Sequence, residues 1–365
     1  MRIAQVPPLY EAVPPLLYGG TERVVSYLTE ELVNQGHEVT LFGTKDSITK
    51  SHLFPVSEKA IRLNPDSRDP LAVHYYQLQE VMEHASEFDI IHFHTDYLHF
   101  PISNLNRYCQ ITTLHGRLDM EDLKLIYEKF GHLPLVSISN SQRIPFPDVN
   151  WVGTVYHGLP KFLYRQGSGE GGYLAFLGRI SPEKRPDRAI EIAIKAGIPL
   201  KIAAKIDRVD QEYFELNIKH LLAHPLIEYI GEINEQEKQD FLGNALALLF
   251  PIDWPEPFGI VLIESLATGT PVIAWRNGSV PEIIDDGKTG FIVNSIEGAV
   301  RAVQQAHLLS RDHCRRAFEK HFTSFVMAGN YLKVYEKICN KRSKINGYSE
   351  IKKRFGNDNY ILKNK

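Results

Sequence analysis

Glu256 and Glu264 bracket the stretch Glu-Pro-Phe-Gly-Ile-Val-Leu-Ile-Glu, a loop-like segment running into an apolar one that a second carboxylate closes. A buried carboxylate without a partner costs several kcal/mol, so each needs compensation. Pro257 disfavours a helical conformation at Glu256 and places it in extended loop. The helix expected over 259–267 carries Glu264 about a turn and a half inside, and helical side chains lean back towards the N-terminus. Both carboxylates then address the start of that helix, where unpaired N–H groups and a partial positive charge favour phosphate. Gly259 lets a ligand approach the backbone closely. Carboxylates repel phosphate and only accept hydrogen bonds, so hydroxyls are their natural partners. Phosphate together with many hydroxyls describes a nucleotide sugar or a sugar phosphate. A second reading stays open here, in which Glu264 pairs with a structural Arg or Lys and Glu256 lies on the surface.

Three further groups have chemistry-bearing types. In Gly-Arg-Ile-Ser-Pro-Glu-Lys-Arg-Pro (178–186), Arg179 leaves a strand end and Lys184 precedes a helix. Two cations at a carboxyl edge suit a diphosphate, Arg by its planar fork and Lys as a point charge, and equally suit a solvated surface. Gly19 and Gly20 open a helix after the first strand, without the G-x-G-x-x-G spacing. His115 ends an apolar strand, where it serves either as a hydrogen-bond donor to a sugar or phosphate or as a structural residue. His-Phe-His-Thr-Asp (92–96) has ligand-like spacing for a metal, which strand-end residues lining a cleft explain as well.

The elements that must position these groups alternate. Strands are expected at 38–43, 90–95, 111–116, 135–139, 153–158, 173–179, 200–205, 227–232, 245–251, 271–275 and 290–293, with helices over 21–35, 71–87, 186–196, 235–242 and 259–267 between them. Several strands are continuously apolar, as expected when helices cover both faces of a parallel sheet. The expectation is an α/β chain of two Rossmann-like doubly wound domains facing a cleft, with ligands at the carboxyl ends of the strands. With 365 residues, two domains of ordinary size are expected. The glycine-rich Arg165–Tyr173 reads as their connection. The domains expected are 1–160, on the acceptor side, and 161–323, on the nucleotide side, followed by a helix over 324–341 and a basic tail over 342–365. Net charge is −3, which gives no general pull towards nucleic acid. Three cysteines without Cys-x-x-Cys spacing fit a reducing compartment. No apolar run approaches the roughly 20 residues needed to span a bilayer, so a cytoplasmic protein is expected. Residues 333–365 are strongly basic, which suits peripheral contact with an anionic membrane face or a solvated end.

These motifs converge. Gly-Gly-Thr-Glu-Arg-Val-Val (19–25), the 178–186 segment and above all E-P-F-G-x-x-x-x-E followed by A-x-G-T-P-V-I-A and the Pro-Glu…Asp-Gly-Lys-Thr-Gly run resemble glycosyltransferase family 4, retaining enzymes of GT-B fold. The resemblance covers about residues 1–340. It implies that Arg179 and Lys184 bind the donor diphosphate and stabilise the leaving group. It also implies that Glu256 holds hydroxyls of the transferred sugar, that Glu264 binds the ribose, and that amides around Phe258, Gly259 and Ile260 meet the phosphates. Gly20 would approach the diphosphate from the opposite domain, with Gly19 beside it, and His115 the donor sugar; Ile233 would line the base pocket. The segment 137–143 would face the cleft, and the last helix would cross back onto the N-terminal domain. Trp254 and Pro255 depart from the small polar residues of many members, and Lys205, at the cleft lip, is taken as donor-binding.

The implied function is transfer of a hexose from a nucleotide sugar, UDP-glucose as the leading choice, to a glycan or lipid-linked acceptor in polysaccharide or cell-envelope synthesis. No Asp-x-Asp occurs, and Arg179, Lys184 and the helix N-terminus can neutralise the leaving group, so neither a metal nor a cofactor is expected. The resemblance favours same-face attack with no protein nucleophile. The alternatives are a sugar-nucleotide epimerase of the same fold and a non-catalytic sugar-nucleotide binder; a pyridoxal-dependent phosphorylase needs a longer chain.

Overall fold

In the computed structural model, residues 1–16, 19–105 and 108–355 are described, with side chains as far as Asn340. Apolar strands such as Ile-Ile-His-Phe and Ala-Leu-Leu-Phe are buried along their whole length, because helices cover both faces of their sheets. The first sheet takes β1 (Arg2–Val6), β2 (Glu38–Thr44), β3 (His52–Ser57), β4 (Ile90–Phe93), β5 (Gln110–Thr113), β6 (Leu135–Ser137) and β7 (Trp151–Thr154). Their order is β3-β2-β1-β4-β5-β6-β7, all parallel. The second takes β8 (Leu174–Arg179), β9 (Leu200–Lys205), β10 (Ile227–Gly231), β11 (Ala247–Phe250), β12 (Val272–Trp275) and β13 (Gly290–Val293). Its order, β10-β9-β8-β11-β12-β13, is again parallel throughout. In each sheet the strand order reverses beside its first strand, at β1/β4 and at β8/β11, and such switch points are where open α/β sheets bind ligands.

Helices α1 (Gly20–Asn34), α2 (Pro70–Glu83), α3 (Phe100–Leu105) and α4 (Leu123–Phe130) belong to the first half. The second half has α5 (Pro186–Ala196), a single turn α6 (Gln211–Tyr213), α7 (Glu235–Gly243), α8 (Ile260–Ala267), α9 (Val280–Ile283), α10 (Ile296–Gln305) and α11 (Arg311–His321). The last, α12 (Ser324–Phe355), packs Met327, Ala328, Tyr331, Val334 and Tyr335 into the core of the first sheet beside Ile3, Leu28, Ile90 and Ile111. The segments joining the two halves lie side by side, Leu159 bridging to Thr323.

Several expectations change. The glycine-rich stretch 165–173, read as the connection between the halves, is held against the second half: Gly167 N–H donates to Thr268 O at 2.9 Å, Gly169 N–H to Gly243 O at 3.0 Å, and Arg311 caps Gly167 O at 3.0 Å. β3 escaped the alternation pattern because it carries Pro55, which is tolerated on an edge strand. The strand expected over 153–158 lies two residues or more earlier, at Trp151–Thr154, which releases His157 from the sheet. The strand over 90–95 ends at Phe93, and Asp96 turns the chain with φ of 48°. α12 stays helical to Phe355; the rest of the basic tail, 356–365, lies outside the described residues. No described helix is long and apolar enough to cross a membrane.

Candidate active site

The loop carrying Glu256 is built by its neighbours. Gly278, at φ of 56°, lies so close that a Cβ there would sit 2.3 Å from both the N and O of Glu256. Ser279 N–H donates to Glu256 O at 3.0 Å, and its hydroxyl to Phe258 O at 2.7 Å. This holds Glu256 at the end of β11, beside the start of α8. Gly259 precedes that helix in the left-handed region, φ 80°, a conformation costly for residues with a Cβ. The N-terminus of α8 therefore opens into the cleft rather than against the preceding loop.

A cavity of about 330 Å³ occupies the cleft. Its walls include Gly19 and Gly20 at the start of α1, His115 past β5, Arg179 at the end of β8, Lys184 after it, Lys205 at the end of β9 and Ile233 after β10. Glu256, Phe258, Gly259, Ile260 and Glu264 complete the far wall. The structure thus brings the residues expected to bind donor or to act in catalysis to one cavity between the two sheets, with the N-termini of α1 and α8 both opening into it, whereas His92, His94, Asp96, Trp254 and Pro255 do not line it.

The charges are paired. Glu256 takes the Lys184 ammonium and the Trp254 indole N–H, the latter at 3.1 Å, on the same Oε2. Lys184 Nζ also sits 5.2 Å from the Trp254 ring and 5.5 Å from that of Phe250. Arg179 reaches Glu183 at 2.8 Å and Asp207 at 3.4 Å, and Lys205 shares Asp207 at 3.0 Å. Glu264 is matched by Lys238 of α7, Nζ to Oε1 2.8 Å. Burial lowers the Lys238 pKa, but Glu264 and Glu235 outweigh it and leave the ammonium above its ordinary range. Glu235 in turn binds Arg23 of α1 at 2.6 Å, linking the two halves beside the cavity. A second link is Glu282, which accepts from Asn140 N–H, Ser141 N–H and the Tyr156 hydroxyl at 2.8–2.9 Å. The expected cleft-facing segment 137–143 is thus engaged by the opposite half.

Two histidines line the cavity face to face: His115 and His157 stack with centroids 5.2 Å apart and planes 16° apart, and His157 meets the Phe258 ring edge-on at 4.8 Å. Burial holds both neutral, His115 pushed down to about 3 and His157 well below its ordinary value. The Nδ1 of each is buried without a protein partner among the described residues. His157, Lys238 and Arg23 escaped the sequence reading. The strand expected over 153–158 hides His157, and the other two become visible only as partners of Glu264 and Glu235.

The ligand-like His-Phe-His-Thr-Asp spacing is used otherwise: both ring nitrogens of His92 and of His94 lie within 2.7–2.8 Å of protein side chains. Among the described residues no group of three His, Cys, Asp or Glu side chains is arranged to hold a metal ion.

Comparison with known proteins addresses family and fold. Residues 18–144 match the model of Glycosyltransferase Family 4 and residues 165–321 that of Glycosyl transferases group 1. An uncharacterized glycosyltransferase of Methanocaldococcus jannaschii is 25% identical over 80% of this chain and 85% of its own. The phosphatidyl-myo-inositol mannosyltransferase of Mycobacterium leprae is 27% identical, over 38% of this chain and 39% of that protein. Among solved structures, AviGT4, a glycosyltransferase involved in avilamycin A biosynthesis, superposes with a TM-score of 0.72 at 23% identity, covering 93% of this chain and 98% of its own. HepE from Anabaena, in complex with UDP and glucose, gives 0.69 at 15% identity, covering 92% and 100%. At these identities the solved structures speak for the fold.

Proposed function

The chain belongs to glycosyltransferase family 4 and has the GT-B fold, and from that membership we propose that it moves a hexose from a nucleoside-diphosphate sugar, UDP-glucose first among donors, to a glycan or lipid-linked acceptor with retention of configuration. The observation that carries the reading is the convergence of Arg179, Lys184, Glu256, Glu264 and the α8 N-terminus on one cavity. Cations and helix amides take the diphosphate, and carboxylates take hydroxyls of sugar and ribose.

In this mechanism the bond from the anomeric carbon to the diphosphate oxygen breaks, and a bond from the acceptor oxygen to that carbon forms on the same face. The acceptor proton passes to the departing phosphate oxygen, so no protein nucleophile is needed. Negative charge grows on that oxygen in the transition state, where Lys184, Arg179 and the α8 amides stabilise it. Lys184 pairs with Glu256 and Arg179 with Glu183 and Asp207, and the diphosphate competes with those carboxylates for them. His115 meets the transferred sugar, Gly19 and Gly20 the diphosphate, Ile233 the base, and Lys205 stands at the lip. This electrostatic clamp does the work for which other sugar-nucleotide enzymes use a divalent ion, so activity is expected to survive EDTA, without a cofactor. The choice of donor follows from the family resemblance and is the part of the proposal that the labelled-donor experiment decides. The setting proposed is the cytoplasm, with polysaccharide or cell-envelope glycan as product and peripheral membrane contact through the basic C-terminus. Loss of membrane association on truncating that end would support the contact.

The test is incubation with radiolabelled sugar nucleotides. Release of nucleoside diphosphate with label transferred to an acceptor supports the reading. Isomerised donor without diphosphate release points to an epimerase, and tight binding without turnover to a non-catalytic binder; either overturns it.

A further inference from the structure

A chain of buried side chains runs from the last helix to the cleft. Tyr331 Oη of α12 lies 3.0 Å from Thr113 Oγ1, which lies 2.7 Å from His92 Nε2. His92 Nδ1 is 2.8 Å from Tyr335 Oη, also of α12, and Tyr335 Oη accepts from Gln5 Nε2 at 3.3 Å. Gln5 Oε1 is 2.8 Å from His94 Nε2, and His94 Nδ1 is 2.8 Å from His115 Nε2. All but His115 are at least nine-tenths buried. His115 alone reaches the cavity.

The polarity of this chain follows from the orientation of the Gln5 amide, whose Nε2 faces Tyr335 and whose Oε1 faces His94. A neutral imidazole carries one N–H, so fixing one nitrogen fixes the other. With the Gln5 carbonyl facing His94, His94 Nε2 must carry the proton and donate. Its Nδ1 is then an acceptor, so His115 Nε2 must donate to it. His115 Nδ1 is left as a bare lone pair, buried and without a protein partner among the described residues.

We propose that Gln5, His94 and Tyr335 are positioning residues that lock His115 in its Nε2-protonated form, so that Nδ1 accepts a hydrogen bond from a ligand hydroxyl. A bare nitrogen lone pair repels a phosphate oxygen, so the group it meets is an O–H of a sugar and not the diphosphate. This reverses the donor role that a strand-end histidine suggests from sequence. It also gives α12 a purpose beyond packing: the helix that crosses back from the C-terminal half sets the hydrogen-bonding sense of a cleft residue through Tyr335. The inference rests on the proposed function only in naming a sugar hydroxyl as the partner.

The lock is tested on the full chain without substrate. With histidine labelled by 15N, long-range 15N–1H correlation distinguishes the tautomers, and His115→Gln identifies the His115 signals. The expected result is an Nε2-protonated His115 in the wild type and a mixture of tautomers in Tyr335→Phe and Gln5→Met. An Nδ1-protonated His115 in the wild type overturns the proposal without recourse to the Tyr335 or Gln5 variants. A tautomer unchanged in folded Tyr335→Phe overturns the assignment of the positioning residues. Because this readout uses no substrate, it stands apart from the identity of the reaction. Where turnover is measurable, Tyr335→Phe is expected to lower kcat about tenfold, the lower end for loss of an orienting partner. Affinity for UDP alone should remain within about twofold, since Nδ1 does not meet phosphate. A fall in UDP affinity equal to the fall in kcat would mark general damage and overturn the positioning role.

Discussion

Lys238 on α7 holds Glu264 on α8, Nζ to Oε1 at 2.8 Å, with the carboxylate side chain only 5% exposed. The carboxylate proposed to meet the ribose is thus neutralised by a partner from the protein itself. Removing one partner of a buried pair strands the other and costs about 3–5 kcal/mol. Lys238→Met is therefore expected to lower the thermal midpoint by several degrees or more, and Glu264→Gln, which keeps a polar partner for the ammonium, by less. Differential scanning fluorimetry checks the order; equal, small shifts would show that the pair carries little stability.

Glu256 shares one oxygen between Lys184 and Trp254. If this cluster meets the transferred sugar and the leaving group, Glu256→Gln and Lys184→Ala should each reduce turnover by at least ~10²-fold, the scale of losing one transition-state contact. Gly278→Ala should be damaging without touching substrate, since its Cβ would meet the Glu256 backbone at 2.3 Å. Steady-state kinetics with a labelled donor measure all three. Full activity in Glu256→Gln would remove that carboxylate from the reaction.

The buried histidines make stability sensitive to acid. Burial pushes His99 and His115 down to about 3, and His92, His94 and His157 also lie well below their ordinary value. These rings are neutral in the folded chain and take up protons in the unfolded chain below about pH 6.5. Their contribution is complete above pH 6.5 and is lost as pH falls towards 3, at up to about 1.4 kcal/mol per pH unit for each ring. Urea unfolding between pH 7 and 5, above the range where exposed carboxylates titrate, should show falling stability. A flat profile would contradict the neutral, buried state.

Much of the site was legible because its residues lie in contiguous motifs at strand ends. Glu256, Pro257 and Gly259 announce a loop entering a helix, and Arg179 and Lys184 flank the next turn. What stayed hidden depends on partners distant in sequence. Lys238, 26 residues from Glu264, looks like any polar position on an amphipathic helix. The glycines of 165–173 mark a connection between the halves, but composition does not show that their N–H groups pair with Gly243, Asn244 and Thr268. His92 and His94 suggested a metal by spacing alone, since Gln5, Thr113, His115 and Tyr335, which occupy their nitrogens, come from three strands' neighbourhood and the last helix.

The docking of α12 has a direct chemical reporter. Cys339 on that helix places its Sγ 3.0 Å from Cys109 Sγ at the entrance to β5, both partly buried. Cys314, the third thiol, is fully buried in α11, and burial pushes its pKa up to about 12, which leaves it a poor thiolate and unreactive. Diamide, a two-electron thiol oxidant, should therefore join Cys109 to Cys339 within one chain, each thiol giving up its proton and one electron to the reagent. Peptide mass spectrometry under non-reducing conditions should find that pair linked and Cys314 free, and Cys109→Ser should abolish the link. Disulfide-linked dimers in place of the internal bond would mean that α12 does not lie against the first sheet, and the path from Tyr335 to His115 would lose its anchor.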